Sequence, residues 1–177
     1  FGIPYIIQAR GSLVPLGGNV LLKKFFDFFY GKFMLKKANK VIALTNDEKN
    51  LYLRMGVKPD CIDVIPNGLD IESIYKKIKP GAFRKSLGIS SYEKIILFVG
   101  RINKTKGVDL LVKAFAKASL DNTRLVIVGP DDGYLHFVKK IIKKIGIDRR
   151  KIIFTGPIYG DDKYSAYHDA DVFVRSS

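Results

Sequence analysis

Cysteine is almost absent from this chain. Cys61 stands alone among 177 residues, so no internal disulfide and no multi-cysteine metal site can form, and a lone buried thiol is expected. Long hydrophobic runs are also missing. No stretch of about 18 apolar residues occurs, so a membrane-spanning helix is not expected. The most apolar stretch, Val20 to Leu35, is broken by Lys23, Lys24, Asp27 and Lys32. The amino terminus has no charged-then-apolar signal sequence. With 7 Pro and 16 Gly the chain is neither collagenous nor of low complexity. Two phosphate motifs are absent as well. A Walker loop needs G-x-x-x-x-G-K-[ST], but Gly107 is followed by Val108, and no G-x-G-x-x-G occurs. The usual marks of an ATPase or an NAD enzyme are therefore lacking. No His/Cys/Glu set has zinc spacing. Acidic residues are few beside basic ones, 17 against 31, which leaves a net charge of +14.

What is present is a globular composition, 47% hydrophobic, which argues against a disordered chain despite the charge. Strand-length apolar runs alternate with segments of helical period. Strands are expected at Tyr5–Ala9, Lys40–Leu44, Ile62–Ile65, Lys94–Val99, Arg124–Val128, Lys151–Phe154 and Val172–Val174. Runs such as Ile95-Ile96-Leu97-Phe98-Val99 are continuous rather than alternating, which favours parallel strands covered on both faces. Val108, Leu111, Val112, Phe115 and Ala118 fall on one helical face. So do Val138, Ile141, Ile142 and Ile145, with Lys139, Lys140, Lys143 and Lys144 opposite. The alternation predicts an α/β sheet with right-handed crossovers. Asn67-Gly68 is a strong turn signal. A polar stretch with Lys76, Lys77, Lys79, Pro80 and Gly81 follows it, so a boundary is placed between Asn67 and about Ser91.

The stretch Phe98-Val99-Gly100-Arg101-Ile102-Asn103-Lys104-Thr105-Lys106-Gly107-Val108 leaves a buried strand, passes a glycine and enters an amphipathic helix. Open α/β sheets place ligands at such junctions, beside helix N-termini that carry free N–H groups and partial positive charge. Arg101, Lys104 and Lys106 add full positive charges there, which are unfavourable for the helix itself. A bound anion would offset them, and a phosphate group is the natural candidate. The alternative is a solvated basic loop.

Five segments in order carry a family resemblance. Val64-Ile65-Pro66-Asn67-Gly68-Leu69-Asp70 comes first. Phe98-Val99-Gly100-Arg101 with Lys106-Gly107, Val126-Ile127-Val128-Gly129, and Ile153-Phe154-Thr155-Gly156 follow. Tyr167-His168-Asp169-Ala170-Asp171-Val172-Phe173-Val174 closes the series. Together they resemble the retaining glycosyltransferases of family 4, from about Pro4 onward. The resemblance implies a GT-B fold of two Rossmann-like parallel-sheet domains, both incomplete in this chain. Residues 1–68 would be the end of the acceptor domain, 69–91 an interdomain linker, and 92–177 the first part of the nucleotide-sugar donor domain.

By the same resemblance, Arg101 and Lys106 would contact the donor diphosphate and stabilise it as it leaves. Negative charge grows on that group as the sugar–phosphate bond breaks, so fixed cations favour the transition state. A pair at about 4 Å is worth on the order of 4 kcal/mol at an effective dielectric near 20, before desolvation. Two such groups replace a metal ion, so no metal and no cofactor are expected. Gly100 would let the backbone approach the diphosphate. Gly129, and Gly156 to Ile158, would border the donor and its base. Asp169-Ala170-Asp171 spells the metal-binding Asp-x-Asp of other glycosyltransferases, but it precedes its strand and is read as structural. Asp131-Asp132 and Asp161-Asp162 are read as turns. His136 and His168 receive no catalytic role. Pro4 to Leu13, with Arg10-Gly11, resembles a segment of relatives that build surface polysaccharide or lipopolysaccharide, and Arg10 would either hold an anionic acceptor group or be an exposed loop arginine. The family's Glu-x7-Glu pair should follow Ser176-Ser177. It is not in this chain, so the chain alone is expected to be inactive and to be a piece of a longer protein.

Leu22, Phe25, Phe26, Phe29 and Phe33 share one helical face, with Phe28 and Leu35 off it. The simplest reading is a core helix, and the sharper one is contact with a membrane surface or the partner domain. The net charge suits an anionic leaflet, but lysine-rich surfaces have other causes. The expected partners are a nucleotide-diphosphate sugar, a glycan or lipid-linked acceptor and an anionic membrane surface, and the expected location is cytoplasmic, peripheral at the inner membrane face. Nucleic acid is not expected, because the lysines lie mainly on outer helix faces and no recognition module appears. The rival readings are another GT-B enzyme, an epimerase or phosphorylase, and a non-enzymatic basic module for nucleic acid or membrane.

Overall fold

The computed structural model describes residues 3–10, 13 and 25–176. The chain divides into two compact units, Phe1–Leu69 and Asp70–Ser177. All seven segments expected as strands are strands, with ends that differ by at most two residues.

In the first unit β1 (Ile6–Gln8), β2 (Lys40–Ala43) and β3 (Ile62–Val64) form a parallel sheet in that order. Ile7 lies beside Val41, and Val41 beside Ile62. The short helix α1 (Lys32–Lys37) precedes β2, and α2 (Asn46–Arg54) connects β2 to β3. Thr45 and Glu48 start α2 in the manner of a capping box. Thr45 Oγ1 accepts the Glu48 N–H at 3.2 Å, and the Glu48 carboxylate accepts the Leu44 N–H at 2.6 Å. Tyr52 on α2 is fully buried with Val41, Ala43 and Ile62. Its hydroxyl accepts the Ala9 N–H at 2.9 Å and donates to the Ile42 carbonyl at 3.3 Å, tying the end of β1 to β2. Burial pushes the Tyr52 hydroxyl above its ordinary pKa.

The aromatic segment before β2 departs from the core-helix expectation. Leu22 lies outside the described residues. Phe25, Phe26, Phe29 and Phe33 are all more than half exposed, and Leu35, off that face, is the residue buried at 6%. A π-helical turn, Asp27–Gly31, joins this segment to α1. Periodicity groups residues onto a face but does not say what covers it. Here the small core holds Tyr52, Val57 and Ile62, and among the described residues of this segment Leu35 and Ala38 join it.

In the second unit β4 (Lys94–Val99), β5 (Thr123–Val128), β6 (Ile152–Gly156) and β7 (Val172–Phe173) are all parallel, in the order β6-β5-β4-β7. Both faces are covered, which is why the strands read as unbroken apolar runs. Phe98, Leu125 and Ile127 pack on one side against α5 (Val108–Ala118) and α6 (Leu135–Ile145), through Val112, Phe115, Val138 and Ile142. Ile95, Leu97, Val126 and Val128 pack on the other against Phe83 and Ala166.

Of the stretch 69–91, expected as a linker, all but Leu69 belongs to this second unit. It contains α3 (Ile71–Lys77) and α4 (Ala82–Ser86), and Ala166 lies on α7 (Gly160–Asp169). Asp169 accepts the Gly81 N–H at 2.7 Å and the Arg84 N–H at 3.1 Å, capping α4. Ser165 accepts the Lys79 N–H at 3.1 Å. Asp171 accepts the Ile95 N–H at 2.8 Å and pairs with Lys94 at 2.8 Å. Both carboxylates of Asp169-Ala170-Asp171 thus hold local structure together.

Candidate functional site

The residues of interest in the second unit gather at the carboxyl ends of its strands. Backbone bonds continue past the sheet and stitch the exiting loops side by side. Gly100 N–H donates to Val128 O and Gly129 N–H to Gly156 O, each at 2.9 Å. Ile102 N–H donates to Pro130 O at 2.9 Å, and Asp132 N–H to Ile102 O at 3.1 Å. Gly100, Gly129 and Gly156, which fall far apart in sequence, therefore stand in one row across three strand ends. Gly129 cannot be replaced there. Its φ of +148° suits glycine, and a Cβ would overlap the Gly100 carbonyl oxygen. The row thus leaves backbone, not side chains, at the edge.

The turn into α5 is built from polar contacts. Asn103 Oδ1 accepts the Lys106 N–H at 3.2 Å and the Thr105 hydroxyl at 2.9 Å, closing a 3-10 turn over Lys104–Lys106. Gly107 then takes φ +60°, and a Cβ on it would stand 2.7 Å from the Ser176 carbonyl oxygen. The Ser176 hydroxyl donates to Lys106 O at 2.7 Å. The chain leaving β7 therefore braces the turn that carries Lys106.

Arg101 and Lys106 differ in their surroundings. The Arg101 side chain is 65% exposed, and Nη1 meets Asp132 Oδ2 at 3.0 Å. Asn103 Nδ2 donates to the same oxygen at 3.0 Å. Lys106 is half-buried, and among the described residues no carboxylate pairs with its ammonium. Asp131 is engaged separately. Its Oδ1 accepts the N–H groups of Tyr134 and Leu135, each at 3.0 Å, at the start of α6. Ile158 is half-buried against the Phe83–Val128 side of the core. His168 Nδ1 lies 3.2 Å from Asp169, and His136 is exposed. Arg10, in the first unit, lies two residues past β1 with φ +47°, an uncommon angle outside glycine. Its Nε donates to Gln8 at 3.1 Å.

The sequence reading missed Asn103, Asp132 and Ser176. No signal in the sequence alone marks Asp132: it reaches Arg101 through the register in which Val99 pairs with Val128 and Ile102 with Asp131.

A doubly wound sheet with glycines and cations collected at its carboxyl edge belongs to the class of α/β domains that take ligands there. The fold matches that of GT-B glycosyltransferases. Anabaena Alr3699/HepE, solved in complex with UDP-glucose, aligns over 97% of this chain and 46% of its own, at TM-score 0.76 and 20% identity. WaaG, a glycosyltransferase involved in lipopolysaccharide biosynthesis, aligns over 96% of this chain and 49% of its own, at TM-score 0.73 and 20% identity. The profile described as glycosyl transferases group 1 matches residues 81–177, and that of glycosyltransferase family 4 matches residues 1–73. The chain belongs to this family. An uncharacterized glycosyltransferase of Methanocaldococcus jannaschii, MJ1607, is 37% identical over 67% of this chain and 31% of its own length. The D-inositol 3-phosphate glycosyltransferase of Mycobacterium bovis is 31% identical over 81% of this chain and 30% of its own. The chain thus spans about a third of the length of these curated relatives.

Proposed function

We propose that the protein carrying this chain moves a sugar, with retention and without a metal ion, from a nucleoside diphosphate donor to a glycan or lipid-linked acceptor. The second unit is the donor side and the first the acceptor side. The protein works in the cytoplasm at an anionic membrane surface. One observation carries the donor assignment: Gly100, Gly129 and Gly156 form a side-chain-free row at the strand ends, and the junction that begins at Gly100 also holds Arg101 and Lys106. A diphosphate needs close backbone approach and fixed positive charge, and this edge offers both. The Arg101–Asp132 pair is largely exposed. Such pairs are held by only about 0.2–1 kcal/mol. An incoming diphosphate therefore displaces Asp132 from Arg101 at little cost. Lys106, with no carboxylate partner among the described residues, meets the same group. As the sugar leaves, charge builds on the diphosphate, and both cations stabilise that state more than the ground state. Ile158 and the backbone at Gly156 border the base, and Arg10 faces an anionic group of the acceptor.

A fold neighbour described as bound to UDP-glucose supports UDP as the first nucleotide to try. Calorimetric titration of the protein with UDP, GDP and duplex DNA at two salt concentrations tests the reading. Nucleotide-selective binding is expected. Steeply salt-dependent DNA binding without nucleotide preference would replace the reading with a basic nucleic-acid module.

A further inference from the structure

The ammonium of Lys106 ends a long flexible stem, and no carboxylate among the described residues pairs with it. Its direction is therefore set at its base, and the base is gripped on both sides. The Ser176 hydroxyl donates to the Lys106 carbonyl at 2.7 Å. The Lys106 N–H donates to Asn103, to side-chain Oδ1 and to the backbone carbonyl, each at 3.2 Å. Oδ1 also accepts the Thr105 hydroxyl at 2.9 Å. The other end of the same amide, Nδ2, donates to Asp132 Oδ2 at 3.0 Å, the oxygen that Arg101 Nη1 meets. An ionised carboxylate only accepts, so Asp132 fixes which way round the amide stands. Nδ2 faces the carboxylate, and Oδ1 is left for the turn. One neutral amide thus joins the turn that carries Lys106 to the partner of Arg101.

We infer that Asn103 is a positioning residue of the diphosphate site and acts through Lys106. This deepens the donor reading under the proposed function and rests on it. The amide oxygen is an acceptor, as diphosphate oxygens are, so its service to binding is indirect. It closes the turn over Lys104–Lys106 before any ligand arrives. Without Oδ1 the Lys106 N–H keeps only the Asn103 backbone carbonyl, in a 3-10 arrangement of poorer geometry. The turn then opens part of the time. Only the fraction of molecules with the turn closed binds at full strength. A serine at this position would still supply a capping oxygen, because Ser and Asn cap about equally well. An alanine would not.

The test is calorimetric titration of the full-length protein with UDP and with uridine. Wild type is compared with Asn103→Ala, Asn103→Ser, Lys106→Ala and the double variant Asn103→Ala with Lys106→Ala. Asn103→Ala should weaken UDP about fivefold, the scale of one lost cap, and leave uridine affinity unchanged. Asn103→Ser should return UDP affinity to within about twofold of wild type. With Lys106 already alanine, Asn103→Ala should weaken UDP no further, because residues that act as one unit are not additive. Full additivity would overturn the inference, since Asn103 would then serve the ligand directly or through Arg101. Equal losses for UDP and uridine would overturn it as well, because a general structural defect reaches the whole site. So would a failed rescue by serine. A wild type that binds no nucleotide removes the donor reading, and this inference falls with it. A wild type that binds UDP no better than Asn103→Ala does sinks this inference alone.

Discussion

Two helical segments with similar apolar periodicity meet opposite fates. On α6 the middle of the apolar stripe is buried, with Val138 at 0% and Ile142 at 6% exposure, while Ile145 at its end is 43% exposed and the four lysines face water. On the segment leading into α1 Phe25, Phe26, Phe29 and Phe33 are exposed, while Leu35 and Ala38 enter the core. Both obey the helical period. The difference lies in the sheet beneath. The second unit's sheet offers Leu125 and Ile127 to receive α6, whereas the first unit's small core is already filled by Tyr52 and Val57. Period defines a face, and the neighbouring surface decides whether it is inside.

The sharpest way to break this comparison is to cut each stripe. Ile142→Ala should destabilise the second unit by about 2–5 kcal/mol, as cavity-forming core changes do. Phe29→Ala should change stability by no more than about 0.5 kcal/mol, as for other surface sites. Denaturant unfolding of both variants checks this. Equal losses would mean that the aromatic stripe is covered after all.

A smaller effect is expected at Asp169. It caps α4 through the Gly81 and Arg84 N–H groups, and its side chain is 3% exposed. Asp169→Ala should cost about 0.5–2 kcal/mol, the scale of a lost helix cap. Burial alone would raise its pKa. The N–H bonds from Arg84 and Gly81, with His168 alongside, outweigh burial and hold the carboxyl below its ordinary value. A depressed folded-state value stabilises at pH above the unfolded value of about 3.9. That contribution is lost as pH falls through the lower folded one. Calorimetric scans should therefore show an acid-side fall in unfolding temperature below about pH 4 that flattens in Asp169→Asn. An unchanged acid limb would contradict the assignment.

These contacts mark the limit of what was legible in the sequence. Every strand among the described residues could be read, and in β4 and β5 the near-continuous apolar runs announce a sheet covered on both faces. The helices α3 and α4 could not. Lys76, Lys77, Lys79, Pro80 and Gly81 read as linker, and what orders them is a set of hydrogen bonds to Ser165 and Asp169 across a wide sequence separation. Local propensity carries no trace of such partners. At the candidate site the glycines and cations were legible from their place after β4. The Asn103–Asp132 network was not, because it depends on the register between two loops.

The smallest expected effect is at Asp132. Removing it frees Arg101, so Asp132→Ala should leave stability nearly unchanged and tighten UDP binding by a few-fold, within the roughly 0.2–1 kcal/mol of an exposed pair. Weaker UDP binding in this variant would mean that Asp132 positions Arg101 rather than competing for it.

The central claim is that Arg101 and Lys106 hold the diphosphate and not the nucleoside. Parallel titrations of wild type, Arg101→Ala and Lys106→Ala with UDP and with uridine test it most directly. Each substitution should weaken UDP by about tenfold or more, the scale of a hydrogen bond to a charged group, and leave uridine affinity unchanged. Equal affinity for UDP in all three proteins, or equal losses for UDP and uridine, would contradict the account.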